Sequence, residues 1–246
     1  MFEPLSIGSR NNRVKLWQNF LVKEGYNIAV DGKFGGQTKA ATEDWRVKHG
    51  YSPGGDVTEA MFNSIPDSTD VNIIAWGAKV SRAFVTRVLS ICNFLEINPN
   101  WLMACMAFES AETFSPSIKN SAGSGAVGLI QFMPSTAAVL GTSIEKLSKM
   151  SALTQLDYVE AYFDSFSGKL KNLQDVYMTI LWPGAIGKPL SYVLFDKSDI
   201  QHPKRYIQNK GLDWNKDGKI TKEEASAHIA EKLHKGFLVE NALYLK

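Results

Sequence analysis

Asn98-Pro99-Asn100-Trp101-Leu102-Met103-Ala104-Cys105-Met106-Ala107-Phe108-Glu109-Ser110 carries a helix start and an acid where an apolar row should continue. Asn98 offers a capping side chain, and Pro99 at the first helical position loses no hydrogen bond. Leu102, Cys105, Met106 and Glu109 fall in one row by the i, i+3, i+4, i+7 rule. From Val88 to Ile118 there is no Lys or Arg, so no local cation is at hand for Glu109. Apolar surroundings without a cation raise a carboxyl pKa, because desolvation penalises the charged form. Such a group can hold a proton near neutral pH and deliver it to a leaving-group oxygen. The competing reading is a helix end that reaches water.

Working outward, Phe84, Val88, Ile91 and Leu95 form an apolar helical stripe upstream, and strand alternation is nearly absent. Downstream, Gly123 to Pro134 mixes small residues with Gln131 and a proline stop. Small residues let a ligand or another backbone approach, and a small hairpin is expected there.

These segments together are specific. Glu109-Ser110, Phe114-Ser115-Pro116, Gly125-Ala126-Val127-Gly128-Leu129-Ile130-Gln131 and Ser135-Thr136-Ala137 resemble the soluble lytic transglycosylase family in order and spacing. The stretch from Ser110 to Phe114 is slightly longer than usual, and the resemblance spans roughly residues 75 to 190. It implies a lysozyme-like helical domain with Glu109 as the only catalytic carboxylate and no cofactor for catalysis. Glu109 would protonate the oxygen of the MurNAc-GlcNAc β-1,4 bond, then act as base on the muramoyl 6-hydroxyl. The product would be a 1,6-anhydro sugar, so no second carboxylate is required, unlike a two-carboxylate hydrolase. Ser110, Gly128, Leu129 and Gln131 carry over as substrate-positioning or Glu-orienting residues. The family's later Ala-Tyr-Asn-x-Gly motif aligns with Ile180-Leu181-Trp182-Pro183-Gly184, where Trp182 replaces the Tyr and Pro183 the Asn. Trp182 is expected to stack on sugar without offering a phenol. Glu112 reads as a solvated acid facing elsewhere.

Before residue 66, Val14, Trp17 and Leu21 recur at helical spacing, and Gly25 reads as the stop. Thr38 reads as the cap of a second helix with Ala41 and Trp45, and Asp56 and Glu59 as a capping box for a third. Val14-x-x-Trp17-Gln18-x-x-Leu21 followed by Asp31-Gly32-x-Phe34-Gly35-x-x-Thr38 resembles the three-helix peptidoglycan-binding domain of wall hydrolases. The polar stretch Pro66-Asp67-Ser68-Thr69-Asp70 sets the expected boundary, giving a binding domain over 1–66 and a transglycosylase domain over 67–246.

Asp213-Trp214-Asn215-Lys216-Asp217-Gly218-Lys219-Ile220-Thr221-Lys222-Glu223-Glu224 fits an EF-hand loop, over 213–224. Asp213, Asn215, Asp217, Thr221 and Glu224 supply side-chain oxygens, Lys219 a backbone carbonyl, and Gly218 the turn. A structural Ca2+ is the expected occupant, with a metal-free turn as the alternative.

The formal net charge of +2 and the absence of a dense basic run argue against nucleic acid. No run is long and apolar enough for a membrane span, and no signal peptide is visible. The expectation is a monomer made in the cytoplasm that acts on the wall in the periplasm. Another protein would release it, as for a phage endolysin, or it would travel in a virion. Cys92 and Cys105 read as buried thiols, and the four His show no zinc spacing. Two other readings stand beside the transglycosylase. A hydrolytic muramidase would need a second carboxylate such as Glu160 or Asp164, and a non-catalytic wall-binding or virion protein would only have kept the fold.

Overall fold

The computed structural model describes residues 3–63, 73–120 and 123–245. Among them it is mainly α, as the sequence indicates. The helices are α1 Asn12–Lys23, α2 Gly36–Lys48, α3 Glu59–Asn63, α4 Arg82–Leu95, α5 Pro99–Glu109 and α6 Pro134–Val139. They continue as α7 Ile144–Lys149, α8 Ala152–Phe163, α9 Leu173–Leu181, α10 Pro203–Asn209 and α11 Lys222–Gly236. Four short strands are β1 Ile73–Ile74, β2 Val193–Asp196, β3 Lys219–Thr221 and β4 Leu243–Tyr244. None of these helices is long and apolar enough to cross a membrane.

Internal contacts divide the chain into two compact units, Met1–Ala78 with His234–Lys246, and Lys79–Leu233. The boundary expected at Pro66 to Asp70 lies outside the described residues.

In the first unit, Asn11 caps α1 by accepting from Val14 N, and the helix ends ahead of Gly25. Val14, Trp17, Phe20 and Leu21 are buried. Trp17 Nε1 donates to Thr42 Oγ1 at 2.8 Å, and the Trp17, Phe20 and Trp45 rings meet edge-on or tilted. Three aromatics gathered this way supply much of the apolar burial available to so small a unit. β1 and β4 pair antiparallel, Ile73 opposite Tyr244.

Two sequence-expected caps are corrected here. Gly35 is the N-cap of α2, and Thr38 lies inside the first turn, where its Oγ1 accepts from Gln18 Nε2. Thr58 Oγ1, not Asp56, accepts from Met61 N at the start of α3, while Asp56 gives its carbonyl to Arg46. At Thr38 a tertiary partner takes the hydroxyl that sequence spacing assigns to a local cap, whereas at α3 the cap stays local and moves to Thr58, the residue just ahead of the helix.

In the second unit, α5 neighbours α4 and α9, and α4 neighbours α8. Every residue from Pro99 to Ala107 is buried, so α5 is a central helix rather than one with a single apolar face. Its composition explains this: Ala104 and Ala107 let neighbouring helices come close, and no charged residue precedes Glu109. Cys92 and Cys105 are free and buried, as expected. β2 and β3 pair antiparallel, Asp196 opposite Lys219, with an irregularity between Val193 and Phe195.

Candidate active site

Glu109 is the last residue of α5. The helix opens as its sequence implies, with Asn98 Oδ1 accepting from Asn100 N at 2.9 Å and Pro99 at the first turn. Ser110 ends it. Its buried Oγ donates to Met106 O at 2.6 Å and accepts from Phe114 N at 2.9 Å, while its carbonyl accepts from Thr113 N and Thr113 Oγ1. The chain then passes through Ala111, Glu112 and Phe114, all at positive φ. Left-handed backbone at non-glycine residues is unfavourable and persists only where neighbours hold it. Ser110 supplies that hold, so it fixes the helix end that presents Glu109.

Glu109 is half-buried and reaches an open cleft of about 630 Å³. Burial raises its carboxyl to about 8, and no salt bridge reaches it among the described residues. Tyr162 and Tyr177 titrate above their ordinary range, through burial first and then the charge of Glu109. The acid therefore holds its proton at neutral pH for the reason its surroundings in sequence suggest.

The small-residue segment forms one wall. Val127 N and Phe132 N exchange bonds with each other's carbonyls, and Asn120 N reaches Ala126 O, giving the expected tight hairpin-like turn. Gly128 has φ 85°, and a Cβ there would come within 2.3 Å of Gln155 Oε1. The space goes to Gln155, whose Oε1 accepts from Leu129 N and whose Nε2 donates to Pro116 O and Leu147 O. Gly128 and Leu129 thus shape the wall from behind and do not line the cleft. Gln131 does line it. Its Nε2 donates to Ile118 O and Gly128 O, which leaves the amide oxygen as what it can offer a ligand.

The opposite wall differs from the sequence expectation. Trp182 is not among the cleft's lining residues. It ends α9 with its ring edge-on to Phe195 and beneath the Arg205 guanidinium at 4.9 Å. Tyr177, Ile180 and Leu181 of α9 face the cleft instead. Trp182 follows the last helical turn, where the chain changes direction, so alignment by motif spacing could not give its orientation. The i, i+3, i+4 row Tyr177-Ile180-Leu181 was the available signal.

His228 of α11 also lines the cleft, its ring parallel to Phe108 at 6.2 Å. Sequence spacing assigned it nothing. Gln208, Asn209, Gly211 and Leu212 complete this side.

Glu109 is the only acid lining the cleft among the described residues. Glu112, read as solvated, is half-buried and paired with Lys232 of α11. Glu160 pairs with Arg87, and Asp164 is exposed at the start of a 3-10 turn.

The loop from Asp213 to Glu224 follows α10 and runs into the first turn of α11, which carries Glu224. Asp213 Oδ2 accepts from Tyr206 OH and Gly218 N, Asn215 Oδ1 from Asp217 N, and Asp217 Oδ1 from Lys219 N. Glu224 Oε2 accepts from Thr221 N and Oγ1. Asp213 Oδ1 and Glu224 Oε1 are buried with no partner. No three His, Cys, Asp or Glu side chains converge as a metal cluster among the described residues. A cation here would rely on mixed oxygens, in which an amide, a carbonyl and a hydroxyl join the carboxylates.

In the first unit, Gln18 organises a separate groove of about 450 Å³. Its Nε2 reaches Asp31 Oδ1, Lys33 O and Thr38 Oγ1, and its Oε1 accepts from Gly32 N. The Asp-Gly-x-Phe-Gly-x-x-Thr pattern is therefore a loop tied to α1 by one buried amide. No curated protein matches the chain. Residues 93–161, which contain Glu109, Gln131 and Gln155, match the family model of the Transglycosylase SLT domain, which indicates a transglycosylase-type enzyme acting on peptidoglycan.

Proposed function

We propose that this chain cleaves the MurNAc-GlcNAc β-1,4 bond of peptidoglycan as a lytic transglycosylase, with Glu109 as general acid and then base. The observation that carries the reading is a half-buried carboxyl, raised to about 8 by burial, that is the only acid of its cleft among the described residues. In the first step Glu109 gives its proton to the glycosidic oxygen, and the C1–O bond breaks. The leaving GlcNAc keeps that oxygen as its 4-hydroxyl. The Glu109 carboxylate then takes the proton of the muramoyl 6-hydroxyl, whose oxygen bonds to C1. Glu109 is protonated again, and no water is consumed. Gln131 and Tyr177 line the path of the sugar, and Ser110 holds the helix end. A hydrolytic muramidase with paired carboxylates fits less well, because Glu160 is engaged by Arg87 and Asp164 is exposed.

On this reading the first unit is a wall-binding module, and its Gln18-organised groove is the place for a wall fragment. A phage-type lysin, released to the wall by another protein or carried on a virion, is the setting that suits such a pairing. The loop Asp213–Glu224 is a structural Ca2+ site in which Asp213, Asn215, Asp217, Thr221 and Glu224 supply side-chain oxygens and Lys219 its carbonyl. The two orphaned buried carboxylate oxygens support that assignment. The ion would supply charge neutralisation there and no chemistry at Glu109.

The test is mass spectrometry of purified peptidoglycan digested by wild type and by Glu109→Gln. Fragments ending in 1,6-anhydro-muramic acid, absent with the variant, are expected. Ordinary reducing ends would make water the nucleophile. Equal digestion by the variant would remove Glu109 from the chemistry.

A further inference from the structure

The same loop connects two segments of the cleft's wall. Gln208, Asn209, Gly211 and Leu212 line the cleft just before Asp213, and His228 lines it one helical turn after Glu224. Asp213 and Glu224 are 7% and 3% exposed, yet each keeps one carboxylate oxygen that is buried and unpartnered. A buried carboxylate oxygen without a donor is costly. Each of these two carboxylates is tied down through its other oxygen. Asp213 Oδ2 is held by Tyr206 of α10 and by Gly218 N, and Glu224 Oε2 by Thr221. The orphaned oxygens are therefore held in place at the two ends of a twelve-residue loop. Lys216 and Lys219 of the loop are exposed, and no ion pair joins either to these acids among the described residues. Oxygen donors alone, with no sulfur or ring nitrogen, suit a hard cation of the calcium class.

We infer that a divalent cation bridging Asp213 and Glu224 couples to the Glu109 cleft, by fixing the segment 208–212 against the first turn of α11 and so tightening glycan binding. The inference rests on the proposed reading of that cleft as a glycan site. The route is short. α10 reaches the cation through Tyr206, and α11 carries Glu224 and His228 on adjacent turns. The foot of α11 is already anchored, since Lys222 Nζ donates to Asp175 Oδ1 at 2.6 Å. Thermodynamic linkage makes the effect reciprocal, so bound glycan must tighten the cation by the same factor.

The test uses the full chain carrying Glu109→Gln, so that ligand is not turned over. Calcium binding is measured by calorimetry with CaCl2, against MgCl2. Amide hydrogen exchange over 203–212 and 225–232 is compared in CaCl2 and in EDTA. The affinity for a soluble, uncrosslinked peptidoglycan glycan strand is measured in both. Calcium is expected to bind, to slow exchange in both segments and to tighten glycan binding about tenfold. Adding Glu224→Gln should abolish all three effects while the circular dichroism spectrum stays unchanged. No heat of calcium binding would remove the site. Binding that leaves exchange at 208–212 and glycan affinity untouched would overturn the coupling and leave a local staple. If calcium slows exchange in both segments but no glycan binds in either condition, the coupling of cation to cleft wall stands and the reading of the cleft as a glycan site falls.

Discussion

Lys222 Nζ lies 2.6 Å from Asp175 Oδ1, and both side chains are almost fully buried. Lys222 is the first residue of α11 and Asp175 sits in the first turn of α9. The ammonium also donates to Ala185 O and Lys188 O, and the same carboxylate oxygen accepts from Gly187 N. One charge pair thus joins the helix that carries His228, the helix that carries Tyr177 and the turn between α9 and β2. All three donors of the ammonium are used, which a buried charge requires.

Removing one member should therefore be severe. Lys222→Ala leaves Asp175 charged and buried, and is expected to cost about 3–5 kcal/mol of stability. Urea denaturation of wild type and variant checks this. A change under about 1 kcal/mol would mean that solvent reaches the pair.

Glu109 links activity to stability through pH. Its folded pKa of about 8 lies above its ordinary value of 4.5. The folded state thus binds this proton more tightly, and the associated stability is full below about pH 4.5 and lost as pH rises through about 8. Glu109→Gln cannot ionise. It should be more stable than wild type above pH 8 by about 2–4 kcal/mol, with the difference fading towards pH 4.5. Melting of both proteins across that range measures it. Wild-type kcat/KM should fall as pH passes about 8, where the acid loses its proton.

Gly128 is a steric requirement. An added Cβ would collide with Gln155, whose amide ties Leu129, Pro116 and Leu147 together. Gly128→Ala should cost about 2 kcal/mol or more, from strain at positive φ and a displaced buried amide. It should also lower activity, since Gln131 follows three residues later. Unchanged stability and turnover would show that the segment relaxes freely.

Tyr177 and Trp182 should separate cleanly. Trp182→Ala is expected to lower stability by about 2–4 kcal/mol through lost packing on Phe195 and Arg205, with KM little changed. Tyr177→Phe keeps the ring and removes only the hydroxyl, and should lower kcat about tenfold or more. A large KM effect for Trp182→Ala with kcat unchanged in Tyr177→Phe would reverse the assignment of the sugar-facing aromatic.

Local chemistry was legible where a residue's neighbours in sequence are also its neighbours in space. Asn98 and Pro99 open α5 as read, because capping is a contact over two or three residues. The raised pKa of Glu109 follows from an uninterrupted apolar stretch without Lys or Arg. The hairpin-like turn of the small-residue segment was legible for the same reason, whereas the need for glycine at Gly128 comes from Gln155, far along the chain. The reading weakened wherever a partner comes from elsewhere in the chain. Thr38 Oγ1 accepts from Gln18 Nε2 and does not cap its own helix. Glu112 is paired by Lys232, 120 residues away.

The sequence by itself determined a helical protein with one isolated acid continuing an apolar helix face, a small-residue segment after it and an oxygen-rich loop near the C-terminus. Periodicity, capping and desolvation act over a few residues, so they are written in the order of residues. Only the tertiary structure decided that Tyr177 and His228 line the cleft of Glu109 while Trp182 turns towards Arg205, and that the oxygen-rich loop joins two segments of the cleft wall. Those outcomes depend on how helices far apart in the chain pack in three dimensions, and on where a buried pair such as Lys222 and Asp175 finds its partners.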